Sequence, residues 1–210
     1  MWMRRLARPF AVVATALALL VGLGTGAARA ADTDPAVATL DTFHKALIET
    51  MKQGAELGVK GRYRKLEPVV KQTFNLPVMT RFAVGTKWSE FTDADHQALI
   101  DAFTRLTVAS YAHNFDSYGG ERFDVNPNGQ TRGVDKIVQT KLIRPNDGPV
   151  TLNYRMRQVD GAWKVIDIYY GGGVSQLTVR RADLAATAMT GGAKALTKDL
   201  SDQADKLLKK

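Results

Sequence analysis

Two polar residues near the end of a long apolar stretch have the spacing of a catalytic pair. His113 and Asp116 are three positions apart, so on a helix a carboxylate could orient an imidazole base. No Ser or Cys in a nucleophile motif accompanies them, and a catalytic base needs a group on which to act. We therefore interpret them as a solvated pair at the polar edge of a helix.

Asp167 is a second candidate, because it interrupts the otherwise apolar segment Val165-Ile166-Asp167-Ile168. A carboxylate held in an apolar cavity can act as a general base. The alternative is a structural Asp that lies on the wet face of a sheet or bonds to a neighbouring loop. We favour the structural role, since no other reactive group accompanies Asp167 in the sequence.

The remaining reactive residue types are sparse. His44 and His96 fall in separate predicted helices without metal-ligand spacing, and the chain contains no cysteine. Gly171-Gly172-Gly173 lacks the Lys and Ser or Thr that follow a phosphate-binding loop. These observations exclude most metal sites and thiol enzymes, and the glycines are better explained as a hinge or a close backbone approach.

The N-terminus predicts export. Arg4, Arg5 and Arg8 precede the apolar run 11–23, and the small-residue segment Ala28-Arg29-Ala30 follows it. This is the pattern of a secretory signal peptide, which we expect to be cleaved after Ala30. An uncleaved membrane anchor is the alternative, but the run is short for a bilayer span of about 20 residues.

Cleavage changes the charge of the working protein. Residues 1–30 contain four arginines and no acid, so their removal lowers the net charge from +8 to +4. A mild basic excess suits transient contact with an anionic membrane surface or an acidic partner, and is too weak to indicate nucleic acid binding. Without disulfides, residues 31–210 must rely on one hydrophobic core, and we expect a single domain there.

The N-terminal part of this domain predicts two helices. Asp34 can cap a first helix that begins at Pro35 and ends near Gly54. Helical apolar spacing continues beyond that glycine, but Pro68 interrupts it. We therefore expect a break or a new helix start near Glu67.

Two further helices follow. Asn75 can cap a short helix that ends at Val84, and Thr92 can cap a long one with acidic residues in its first turn. We expect Gly119-Gly120 to end the long helix. Its apolar residues form a wide stripe of the kind that covers a core or an apolar cavity. The stripe contains Leu99, Ile100, Phe103, Leu106, Tyr111, Phe115 and Tyr118.

After Gly120 the apolar period changes from helical to alternating. Turn signals at 126–129, 145–148 and 160–161 divide this part into strands. The predicted strands are 121–125, 134–143, 149–159 and 162–170. Two C-terminal helices, 174–189 and 193–208, are separated by Gly191-Gly192. The sequence thus predicts an α+β fold, in which a four-stranded antiparallel meander packs against N-terminal and C-terminal helices.

Several segments in this order resemble the MlaC family of periplasmic lipid carriers, also called toluene-tolerance auxiliary proteins. The resemblance covers essentially the whole predicted mature chain. On the long helix, Phe103 and Leu106 match apolar positions of the family. The matching segments are Phe74-Asn75-Leu76, Val84-Gly85-Thr86-Lys87-Trp88, Ser110-Tyr111, Gly161-Ala162-Trp163-Lys164-Val165-Ile166-Asp167-Ile168 and Gly173-Val174-Ser175.

The resemblance implies a curved sheet similar to that of nuclear transport factor 2, packed on helices around an apolar pocket. It also implies a carrier, not an enzyme, that needs no cofactor and moves lipid between an outer-membrane lipoprotein complex and an inner-membrane ABC transporter. We expect a monomer. The segment 175–181 looks more like the branch associated with hopanoid biosynthesis, so the lipid is a phospholipid or a hopanoid.

With such a pocket between the long helix and the sheet, we expect apolar side chains from both to contact the lipid tails. Periodicity alone does not separate pocket residues from an ordinary core, because both are apolar at the same spacing. The predicted lining residues are Phe43, Leu47, Phe82, Phe103, Leu106, Tyr111, Leu152, Tyr154, Ile168 and Val174.

Two alternatives remain open at this point. One is an enzyme of the same cone-shaped fold that acts on a hydrophobic substrate through Asp167 or the His113 and Asp116 pair. The other is a transporter adaptor with a filled core, which would contain no long apolar cavity.

Overall fold

A computed structural model describes residues 33–209 of the chain. The predicted signal peptide and its cleavage site lie outside the described residues. None of the described helices is both long and apolar enough to cross a membrane. The helices are α1 Pro35–Lys52, α2 Gly54–Thr73, α3 Leu76–Val84, α4 Asp93–Asn114 and α5 Gln176–Leu208, with a 3₁₀ turn at Gly85–Glu90. The strands are β1 Arg122–Val125, β2 Gln130–Arg132, β3 Asp135–Val138, β4 Thr140–Arg144, β5 Asp147–Val159, β6 Ala162–Tyr170 and β7 Val174–Ser175.

The first helix begins as predicted, because the Asp34 carboxylate accepts the Ala36 N–H at 2.9 Å. The predicted break near Glu67 is wrong, since α2 continues through Pro68. Leu66 and Val70 are fully buried on either side of the proline, and this packing offsets the one lost backbone bond. The actual kink in α2 is at Gly58, whose positive φ of 57° interrupts the helix.

The caps of α3 and α4 are confirmed. Asn75 Oδ1 accepts the Val78 N–H, and Thr92 forms a capping box with Asp95. However, α4 ends at Asn114 and not at the predicted glycines. The chain leaves the helix there to pass close to α2, where a Cβ at Gly54 would lie 1.7 Å from the Asp116 carbonyl oxygen.

The antiparallel meander is confirmed, with one of its predicted strands divided and two short strands added. The predicted strand 134–143 appears as β3 and β4, which pair with the same edge of β5. The register is continuous across Gln139 and shifts between Leu142 and Arg144. On the other side of β3 and β4, β1 pairs with β4, and β2, which the sequence did not predict, pairs with β3. On the other edge β5 pairs with β6, which pairs with the short β7. The predicted α+β class is therefore confirmed.

The core lies between one face of this sheet and the helices. Met156 and Val165 on the sheet are fully buried, as are Leu40 and Leu47 on α1. The C-terminal half of α5 contributes Leu196, Leu200 and Ala204, which are also fully buried.

The predicted break in the C-terminal helix is confirmed at Gly192, where φ is 63° and ψ is −161°. The residues before this kink, 176–191, are called the α5 arm below. They lead directly from β7 along α3 and α4 and are more exposed than the half after the kink.

Candidate functional site

An apolar cavity of about 260 Å³ lies between α4, β6 and the α5 arm. Its apolar lining combines side chains from four elements, because the helical stripe of α4 faces the inward side of β6 and the buried side of α5. These apolar residues are Met79, Phe103, Leu106, Tyr111, Ile168, Leu177 and Val179.

Aromatic rings close the inner end of the cavity. The ring centroid of Tyr111 lies 5.2 Å from that of Phe43 and 5.7 Å from those of Phe74 and Phe115. The Phe43 ring packs edge-to-face on Tyr111 and the Phe115 ring stacks on it, and such pairs contribute beyond simple burial. Burial raises the pKa of Tyr111 well above its usual value, so this hydroxyl stays neutral and the inner end carries no charge.

The outer rim of the cavity is polar and charged. Thr107 and Ser110 border it from α4, but their hydroxyls donate to the carbonyls of Phe103 and Leu106 within the helix. The α5 arm adds charged side chains at Arg180 and Asp183, with the polar Gln176 beside them. The site therefore combines an apolar lining with charged side chains at its entrance.

Asp167 borders the cavity but is engaged in structural bonds. Its Oδ2 accepts the Ser175 hydroxyl at 2.6 Å, and its Oδ1 accepts the backbone N–H groups of Ile168 and Leu177. The carboxylate thus joins β6 to the first turn of α5, where a negative charge complements the helix dipole. This is the predicted bond to a neighbouring segment, and it occupies the oxygens that a general base would need.

The other catalytic candidates are not brought together. Asp116 lies beyond the end of α4, so it does not share a helix face with His113, and the two form no ion pair in the described part of the chain. Within residues 33–209, no group of three or more His, Asp or Glu side chains could hold a metal ion.

A buried histidine lies deeper in the core, away from the cavity. His44 Nε2 and the Tyr154 hydroxyl are 3.1 Å apart and share a hydrogen bond, and the imidazole stacks on Phe123 at 3.9 Å. The Nδ1 atom of His44 is buried without a partner among the described residues. Burial lowers the pKa of His44 to about 3, so the ring is neutral at neutral pH.

The structure places the predicted lining residues in three environments. Phe103, Leu106, Tyr111 and Ile168 line the cavity together. Phe43, Leu47 and Tyr154 are buried in the adjoining core, with Leu152 half-buried beside them. Phe82 and Val174 lie at the surface, 44% and 55% exposed. All ten positions remain predictions as lipid contacts.

Several lining residues were not anticipated from the sequence. Met79 comes from the short helix α3, whereas Leu177, Val179, Arg180 and Asp183 come from the α5 arm. The helical apolar spacing of Val174, Leu177 and Leu184 was the available signal, but it does not show which neighbouring element the helix will pack against.

A larger concavity of about 530 Å³ lies over the polar face of the sheet. Arg155 and Arg157 donate to the Asp135 carboxylate there. Burial raises the pKa of Asp135, but these hydrogen bonds outweigh that effect, so the net pKa is lowered. Its lining is charged and polar, so apolar tails gain nothing from entering it. The smaller apolar cavity is therefore the better candidate site.

Comparison with known proteins gives one family and one fold. The model of the MlaC family, described as MlaC protein, matches residues 41–202. A solved structure of a phospholipid-binding protein from Ralstonia solanacearum, in complex with a phospholipid, is similar with a TM-score of 0.72. It is 21% identical, and the match covers 83% of this chain and 99% of that chain. No curated protein matches the chain.

Proposed function

The chain belongs to the MlaC family of periplasmic lipid-binding proteins, and we propose that it carries lipid across the periplasm with the tails held in the cavity beneath the α5 arm. The observation that carries this proposal is the arrangement of the cavity, whose mainly apolar lining adjoins charged side chains of the α5 arm. A lipid has the same division into apolar tails and a polar head group. The similar Ralstonia protein, which was solved with a phospholipid, supports this choice of ligand class.

The energetic need for such a carrier is large. Exposing an acyl chain to water costs about 0.8 kcal/mol of free energy for each methylene. A two-tailed lipid therefore costs on the order of 20 kcal/mol to expose, and it does not cross an aqueous compartment unshielded. Apolar contacts with Phe103, Leu106 and Leu177 offset this cost without chemical change to the ligand. No catalytic group is needed.

Two tails need more room than the structure provides. Its cavity of about 260 Å³ is smaller than the roughly 300–1,000 Å³ typical of pockets for drug-sized ligands. We infer that lipid enters as the α5 arm moves away from α4. Gly192 at one end of the arm and 171–173 at the other are the points where the backbone can bend.

The route and partners follow from the resemblance to the family. Residues 1–30 would direct export and be removed, which leaves residues 31–210 as a monomeric carrier in the periplasm. An inner-membrane ABC transporter and an outer-membrane lipoprotein complex would exchange lipid with it, with transient contact at a membrane surface. Because exchange between cavity and bilayer is nearly neutral in free energy, the direction of transport would come from these partners.

The proposed ligand is a phospholipid or a hopanoid. The segment 175–181, which resembles the hopanoid-associated branch, comprises the last residue of β7 and the first six residues of the α5 arm. It borders the cavity at Gln176, Leu177 and Arg180. A hopanoid is rigid and polycyclic whereas an acyl chain is flexible, so the two would pack differently against the residues at this border.

Lipid extraction and mass spectrometry of the protein purified from a hopanoid-producing host would test the proposal. We expect about one lipid per chain and uptake of labelled lipid from vesicles, and the mass would identify its class. A protein that purifies without lipid and extracts none from vesicles of either class would refute the proposed function. The adaptor alternative would then be favoured.

A further inference from the structure

Exposed apolar side chains and unpaired arginines lie together beside the entrance of the cavity. Val78 and Phe82 are one turn apart on α3 and are 41% and 44% exposed, and Val179 on the α5 arm is 43% exposed. Three arginines accompany them on the same two helices. We call this surface the entrance face; it consists of Val78, Arg81, Phe82, Val179, Arg180 and Arg181.

Direct contacts show that the two helices form one surface. The guanidinium carbon of Arg181 lies 5.5 Å from the centroid of the Phe82 ring. A Cβ at Gly85 would lie 2.9 Å from the Arg181 Nε, so the arginine also packs against the end of α3. Residues 78, 81 and 82 share one face of α3, because side chains three and four positions apart on a helix are neighbours.

The entrance face is continuous with the cavity. Val179 and Arg180 line the cavity from the arm, and Met79, which follows Val78, lines it from α3. A molecule that contacts the entrance face therefore also borders the opening through which a tail would pass. This continuity ties the surface to the ligand exchange that we propose.

The charge of the entrance face is positive. Arg81, Arg180 and Arg181 form no ion pair with a carboxylate among residues 33–209; Arg180 donates only to the neutral Gln203 side chain. Asp183 on the same arm and the buried Asp167 are the acidic residues of the cavity lining. Arg81 and Arg181 are thus exposed and Arg180 is half-buried, on a surface that also exposes a phenyl ring and two valines.

We propose that the entrance face docks on an anionic bilayer surface, with Phe82, Val78 and Val179 against the interface and the arginines against lipid phosphates. Amphipathic surfaces that combine basic and apolar side chains bind anionic interfaces in this way. Docking there would let tails pass from bilayer to cavity without crossing water. The inference rests on the proposed function and adds the surface through which lipid is exchanged.

Vesicle sedimentation tests this surface. The protein purified from an exporting host is mixed with vesicles of equal parts phosphatidylglycerol and phosphatidylcholine, or of phosphatidylcholine alone. We expect binding to the anionic vesicles, weaker binding to the neutral ones, and release from the anionic ones as salt is raised. Arg81→Gln and Arg181→Gln should each weaken binding about fivefold, as expected for one arginine at an anionic surface.

Matched variants control for general charge and hydrophobicity. Arg132→Gln removes an exposed arginine from β2, and Val134→Ser removes a 75% exposed valine, both outside the entrance face. Val78→Ser should weaken binding, whereas Val134→Ser and Arg132→Gln should leave it within twofold of the original protein. Equal effects of test and control variants would overturn the proposal.

The same samples separate this inference from the proposed function. A protein that carries lipid but does not bind anionic vesicles would overturn membrane docking and leave the carrier intact. Dimers that dissociate on Val78→Ser would also overturn it, because a second copy would then cover the face. The supporting result is weaker vesicle binding in Val78→Ser, Arg81→Gln and Arg181→Gln with the lipid content at purification unchanged.

Discussion

The Asp167 Oδ1 atom accepts the backbone N–H of Leu177 at 3.1 Å, and this bond joins β6 to the first turn of α5. The same carboxylate accepts the Ser175 hydroxyl through its other oxygen. Asp167 is buried, so these bonds replace the water that the charge would otherwise bind. A carboxylate inside a hydrophobic strand thus fixes the start of the arm that covers the cavity.

Asp167→Asn should lower the free energy of unfolding by about 1–3 kcal/mol, since the amide cannot accept the Ser175 hydroxyl and the Leu177 N–H as a carboxylate does. Urea denaturation measures the change. Asp124→Asn, at an exposed position on β1, is the control and should have little effect. We expect the folded variant to retain its lipid, whereas the enzyme alternative requires loss of an activity in a protein of unchanged stability.

Thr107→Trp should reduce the lipid content of the purified protein about tenfold or more, because the indole would fill space that a tail needs. Thr190→Trp is a matched control on the exposed part of the α5 arm. Both hydroxyls donate to a carbonyl four residues earlier, so both variants lose the same local bond. Mass spectrometry after extraction measures the content, and equal loss in the two variants would exclude a specific role of the cavity.

Acid should destabilise the protein through His44. Its pKa is about 3 in the folded state because of burial and near 6.5 when unfolded, so the unfolded chain binds more protons between these values. Stability is therefore full above pH 6.5 and is lost as the pH falls toward 3. The loss between pH 7 and pH 5 should be about 2 kcal/mol.

His44→Phe should remove this pH dependence, because phenylalanine can keep the stack on Phe123 but does not titrate. Its stability at pH 7 should be lower, since the Tyr154 hydroxyl loses its partner. The pKa values of Asp34 and Asp135 are lowered from 3.8, so their contributions are lost only at more acidic pH. Urea midpoints at pH 7 and pH 5 that shift equally in both proteins would contradict the assignment.

Gly192→Ala should destabilise the protein by about 1–3 kcal/mol, because an alanine is strained at φ 63° and ψ −161°. The effect would come from the backbone alone, since no atom lies within 4 Å of a Cβ at this position. Gly148→Ala is the matched control, as it has equal space and no positive φ. We expect a lower urea midpoint in Gly192→Ala only; matching midpoints in both variants would remove the strain argument.

The helix boundaries that the sequence predicted correctly depend on local chemistry. Asp34, Asn75 and Thr92 cap their helices as expected because a side-chain cap acts within three residues. The boundaries that were predicted wrongly depend instead on contacts between segments distant in sequence. Pro68 lies inside a helix, and α4 stops at Asn114, because packing between distant segments outweighed the local preference at both places.

The sequence by itself determined the class of fold, the order of the elements and, through its family motifs, the lipid as the expected ligand. Only the tertiary structure decided which apolar residues border the cavity and which fill the core. Phe43 and Phe103 are alike in type and helical spacing, yet Phe103 borders the cavity and Phe43 is fully buried behind Tyr111. The physical reason is that periodicity fixes which face of a helix is apolar, whereas the gap between packed faces depends on their relative positions.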